Sequence, residues 1–108
     1  MIIVIPSNGD TIDSLVSDTL GRAPFLIVYD STNEKYNSVE NPGFRVQDGS
    51  GLKASEVIIN QRADILLTRE IGRKSYSVLQ RERIKIQLLT TGGSVKSVIK
   101  KYLKKQEK

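Results

Sequence analysis

Ile2-Ile3-Val4-Ile5 is an unbroken β-branched run near the start of the chain. A strand with one wet face alternates apolar and polar residues, so a run with no polar side reads as a strand covered on both faces. That segment asks for a sheet with a layer on each side, hence an α/β fold. Phe25-Leu26-Ile27-Val28-Tyr29 reads as a second strand. Asp30-Ser31-Thr32-Asn33-Glu34 is turn chemistry, and the weakly alternating Lys35–Glu40 completes a hairpin with an edge strand. Asp64–Thr68 and Ile84–Leu89 are two further strands. Helices are predicted over about Gly51–Arg62, with Ser50 as N-cap, and over about Ile71–Glu82, with Ile71, Ser75, Val78 and Leu79 turned inward. In the third helix Val95, Val98, Ile99, Tyr102 and Leu103 share one face, Ser94 is the N-cap and lysines fill the other face.

The order is β–β–β–α–β–α–β–α. Alternating βα units predict parallel strands with right-handed crossovers, and the first three strands, lacking a helix between them, predict an antiparallel meander. One five-stranded mixed sheet of order 3-2-1-4-5, with strand 2 running against the others and three helices around it, satisfies both. The N-termini of all three helices then lie along one edge of the sheet, where open α/β sheets bind ligands.

Composition narrows the chemistry. A chain of 108 residues suits a single domain spanning 1–108. It has no Cys, His or Trp, and its only Met is Met1. This excludes disulfides, zinc fingers, thiolate-held iron–sulfur sites, Ser–His triads and Cys nucleophiles, and points away from an enzyme. Ile2–Ile5 is too short for a signal peptide and no run spans a bilayer, so the expected location is cytoplasmic. The net charge of +5 resides in residues 96–108, which hold six lysines and one acid, Glu107. Residues 1–95 carry eleven cations and eleven anions.

The strongest binding candidate is the set of glycine-bearing helix entries: Gly49-Ser50-Gly51, Gly72, and Gly92-Gly93-Ser94. Free N–H groups at a helix start attract anions, and glycine admits a ligand to the backbone. Arg22, Arg69 and Arg73 could add charge, with Arg22 expected to close the site. The bland reading makes these glycines and serines turns and caps. Asp10, Asp13 and Asp18 read as solvated loop acids and caps; strand 1 carries no acid for a two-metal centre. The lysine face of the last helix reads as a solvated surface. The alternative is contact with nucleic acid or an acidic partner, although no aromatic is interleaved there.

Several of these elements are similar to one known family. Ile3-Val4-Ile5-Pro6, Ser14-Leu15-Val16-Ser17, Gly21-Arg22-Ala23-Pro24-Phe25, Glu40-Asn41-Pro42, Asp48-Gly49-Ser50-Gly51-Leu52, Ile71-Gly72 and Gly92-Gly93-Ser94-Val95 follow one another in the order seen in the dinitrogenase iron–molybdenum cofactor biosynthesis family. The resemblance covers nearly the whole chain. It implies a ribonuclease H-like motif fold and a small non-enzymatic protein that binds or carries an iron–molybdenum or iron–sulfur cluster. The chain departs from the family in its candidate ligands. Thr19-Leu20 stands where members often have His and an aromatic, and Asp48-Gly49-Ser50-Gly51 where they often have His-Gly-Ala-Gly. With no imidazole or thiolate, side-chain coordination of a soft cluster is not expected. The expectation is a monomer or weak dimer that takes an anionic ligand through Arg22, Ser50, Gly51, Gly72, Gly92, Gly93 and Ser94, with neither membrane nor nucleic acid as partner.

Overall fold

A computed structural model describes residues 1–106; Glu107 and Lys108 lie outside it. The strands are β1 (Ile2–Ser7), β2 (Phe25–Asp30), β3 (Lys35–Glu40), β4 (Ile65–Thr68) and β5 (Lys85–Leu88). The helices are α1 (Ser50–Asn60), α2 (Arg73–Arg81) and α3 (Val95–Gln106), with a 3₁₀ turn at Pro42–Arg45. The sheet order is β3-β2-β1-β4-β5, with β2 antiparallel to both neighbours and β1, β4 and β5 parallel. β1 runs on through Pro6 to Ser7, past its expected end. Its pairing with β4 covers only Ile3 and Val4, so no ladder bond on that side asks Pro6 for an N–H.

Period-two alternation divides the core between the two faces. Ile3, Ile5, Ile27, Tyr29, Ile65 and Leu67 point to the face covered by Val95, Val98, Ile99 and Tyr102 of α3. Val4, Leu26, Val28 and Leu66 point to the other, covered by Ala54 and Ile58 of α1 and Leu79 of α2. α1 and α2 therefore pack on one side of the sheet and α3 packs on the other.

Three local readings need correction. Ser50 is the first residue of α1 rather than its cap; the cap is Gly49, whose φ of 71° is left-handed and suits glycine. α2 starts at Arg73, because Gly72 is still extended at φ −75°, ψ 157° and acts as the cap, leaving Ile71 in the preceding loop. α1 ends at Asn60, and Arg62 adopts a positive φ in the turn into β4.

Burial pushes the Tyr102 hydroxyl above the ordinary phenol range. The unfolded chain releases that proton near pH 10, and the folded chain only at higher pH, so folding loses stability as pH rises through this interval. Urea midpoints should fall from about pH 9 to about pH 11, and fall less in Tyr102→Phe. Equal slopes in the two proteins would contradict this.

Candidate functional site

The first turns of α1 and α2 meet at the carboxyl end of the parallel strands. An ideal Cβ on Gly51 would lie 2.3 Å from Ser75 Oγ, so the helices touch where Gly51 has no side chain. The loop bearing Gly21 lies across the same turn. A Cβ there would sit 2.4 Å from Ser50 Oγ and 2.9 Å from the Gly51 amide nitrogen. Glycine at 21 thus lets the loop pack closely without placing a side chain on that amide.

These surfaces enclose an open cleft of about 890 Å³, reached by residues 19–22, 49–52, 69–75 and Leu88. Its charge is one-sided: Arg22, Arg69, Arg73 and Lys74 against Glu70. Neither helix has a side-chain cap. Lys53 and Tyr76 donate to the carbonyls of Gly49 and Gly72, which closes each first turn. The amides of Ser50, Gly51 and Leu52, and of Arg73, Lys74 and Ser75, have no protein acceptor among the described residues. Uncapped first turns carry partial positive charge, and here two of them face one cleft.

Ser75 adds an unusual group. It is only 3% exposed, it lines the cleft, and its hydroxyl makes no hydrogen bond among the described residues. Among the described residues no fully sealed polar side-chain atom lacks a partner, so this hydroxyl keeps some exposure and can meet what enters the cleft. Sequence reasoning placed Ser75 on the inner face of α2 and read it as packing. A hydroxyl at a position where periodicity asks for an apolar residue was the signal.

The third helix entry sits elsewhere. Gly92, Gly93 and Ser94 do not line this cleft, because α3 packs on the opposite face of the sheet. Its first-turn donors are also occupied. Val95 donates to the Ser14 carbonyl (2.9 Å), Lys96 to the Ile12 carbonyl (2.8 Å), and Ser97 to Ser94 Oγ (3.1 Å). Ser94 is thus the N-cap its position predicts. Gly93, at φ 123°, accepts from Val16, which joins the 12–16 loop to α3. Gly92 lies near Arg69, whose Nη1 would be 3.6 Å from an added Cβ.

Arg22 lines the cleft, but two of its donors are committed. Nη1 donates to the Val46 carbonyl (2.6 Å) and Nη2 to the Gln47 carbonyl (2.8 Å). It pins the segment leading into Gly49 and contributes charge at the rim. Arg69 Nη1 donates to Asp18 at 2.8 Å. Asp10 and Asp13 join no carboxylate cluster, and no group of three or more metal-ligating side chains occurs among the described residues. Lys96, Lys100, Lys101, Lys104 and Lys105 are exposed on α3, while Tyr102 is buried in the core. No described helix is long and apolar enough to cross a membrane.

Comparison with known proteins agrees with this architecture. The family model for the dinitrogenase iron-molybdenum cofactor matches residues 1–105. The apo form of the orange protein from Desulfovibrio gigas superposes with a TM-score of 0.90 at 28% identity, over 97% of this chain and 88% of that one. A putative NifB protein from Thermotoga gives 0.83 at 27% identity, over 95% and 87%. The crystal structure of PH0822 gives 0.81 at 26% identity, over 97% and 91%. No curated protein matches the chain.

Proposed function

The chain belongs to the dinitrogenase iron-molybdenum cofactor family, and from that membership we propose that it is a small non-enzymatic cytoplasmic carrier whose anionic cargo sits in the cleft between α1 and α2. The observation that carries this reading is the pair of uncapped first turns facing one cleft with four cations against one acid. Each helix start supplies up to roughly half a positive charge. Ser50 and Ser75 add hydroxyls beside the free amides. The donor set suits an anion held whole, by hydrogen bonds and charge. It does not suit a soft metal ion or cluster taken up by side chains, since the chain has neither Cys nor His. Of the residues singled out in the sequence, Arg22, Ser50, Gly51 and Gly72 line the cleft. Gly93 and Ser94 instead cap and anchor α3 on the opposite face of the sheet.

Titration with inorganic phosphate and with molybdate, followed by amide NMR, tests this. Saturable shifts are expected at residues 50–52 and 73–75. Ser75→Ala should weaken binding about tenfold, the effect of one hydrogen bond to a charged group, while leaving stability nearly unchanged. Ferrous ion alone should move none of these amides. Shifts confined to residues 95–97, binding indifferent to Ser75→Ala, or stoichiometric uptake of free iron would overturn the proposal.

A further inference from the structure

A second, smaller cleft lies on the opposite face of the sheet, between α3 and the end of β5. Its volume is about 130 Å³. The floor is hydrocarbon: Leu67 is fully buried, Val98 is 6% exposed, and the ring of Tyr102 lies beside them. The lip is polar and basic, formed by Thr90, Thr91, Lys101 and Lys105. No acid lines it, and neither lysine has an acidic partner among the described residues.

Tyr102 connects floor and lip. The residue is 6% exposed, yet its hydroxyl has no hydrogen-bond partner among the described residues. Among the described residues no fully sealed polar side-chain atom lacks a partner, so this hydroxyl keeps an opening, and the cleft is the opening its side chain lines. A buried tyrosine normally finds a partner for its polar end. A phenol is protonated at neutral pH and so donates a hydrogen bond there, and burial moves it further in that direction.

We propose that this cleft is a second ligand site, for a small organic carboxylate whose apolar body rests on Leu67 and Val98 and whose charge meets the Tyr102 hydroxyl, Lys101 and Lys105. Size and surface select the class. Apolar cavities of about 150 Å³ hold a benzene-sized body. A bare oxyanion would exchange hydration for hydrocarbon on the floor, which is unfavourable. A neutral body of the same shape would leave the two ammonium groups unanswered. The site shares no residue with the α1–α2 cleft except Leu88, so it stands or falls independently of the proposed cargo.

The experiment is amide NMR on the full chain with three probes: benzoate, benzyl alcohol and inorganic phosphate. Benzoate should give saturable shifts at residues 88–91 and 98–105. The other two should bind there at least about tenfold more weakly, since each lacks either the charge or the apolar body. Tyr102→Phe, which preserves the ring and its packing, should weaken benzoate about tenfold. Lys101→Gln should weaken benzoate more than benzyl alcohol. Equal affinity for phosphate and benzoate would overturn the proposal, as would indifference to Tyr102→Phe or no saturable benzoate shift at these residues. Phosphate shifts at residues 50–52 and 73–75 report the other cleft and are read separately.

Discussion

Replacing Gly43 by alanine is expected to destabilise the protein by about 3 kcal/mol, in the upper range for overpacking a close-fitted site. Gly43 is buried in the 3₁₀ turn Pro42–Arg45. A Cβ there would lie 2.2 Å from the Ser50 carbonyl oxygen and 2.8 Å from that of Gly21. Both obstacles are backbone, so neither can rotate away as a side chain would. The φ at this position is not left-handed; the requirement for glycine is one of space alone. The same displacement would push on the first turn of α1 and on the loop that covers it, so anion binding should weaken together with stability. Urea denaturation reads the first effect as a midpoint lowered by roughly 1–3 M, given slopes of about 1–3 kcal/mol per molar for small proteins. Gly72→Ala is the control. Nothing lies within 4 Å of its added carbon, and the loss should stay below about 1 kcal/mol. Equal losses in the two variants would show that the close approach at Gly43 is not what constrains the turn.

The strand order was legible because two simple rules acted together. A continuous apolar run places β1 inside the sheet, and the βα alternation makes β4 and β5 parallel to it. The handedness rule carries the site further than the shared edge does. α1 leads from β3 to β4 and α2 from β4 to β5, so both move the chain in the same direction across the sheet. Right-handed crossovers then put both helices on one face, which is why Ser50, Gly51 and Gly72 come together. No strand follows α3 among the described residues. Handedness therefore leaves its face open, and the expectation that Gly93-Ser94 would join the other two starts rested on the shared edge alone, which does not say on which face a helix lies. The occupation of α3's first turn by the carbonyls of Ile12 and Ser14 is a contact over about eighty residues that no local pattern announces. Arg22 was legible as a cation near the site. Its bonds to Val46 and Gln47 were not, since they depend on how an irregular segment folds back over the chain.

The Glu40-Asn41-Pro42 element acquires a physical reason in the structure, and from it the second large effect follows. Asn41 is 2% exposed. Its side-chain amide donates to the Leu20 carbonyl (2.9 Å) and its Oδ1 accepts from the Gly43 amide (3.0 Å). One side chain thus holds the start of the 3₁₀ turn against the loop that crosses α1. Asn41→Ala leaves a carbonyl and an N–H unpaired in a buried place, and at about 1–3 kcal/mol for each group left unsatisfied a loss of about 2–6 kcal/mol is expected. Asn41→Asp separates the two bonds. The new carboxylate can still accept from Gly43, but it faces the Leu20 carbonyl with no proton to share. Burial and the opposing oxygen favour the protonated acid, raising the folded-state pKa above the ordinary value near 4. That variant should be most stable below about pH 4 and lose stability as pH rises through the shifted value, an interval in which Asn41 itself has nothing to titrate. Urea midpoints of the two proteins between about pH 3 and 7 measure the difference directly. If the gap between them does not widen as pH rises, the hydrogen bond to Leu20 is not what makes asparagine necessary at this position.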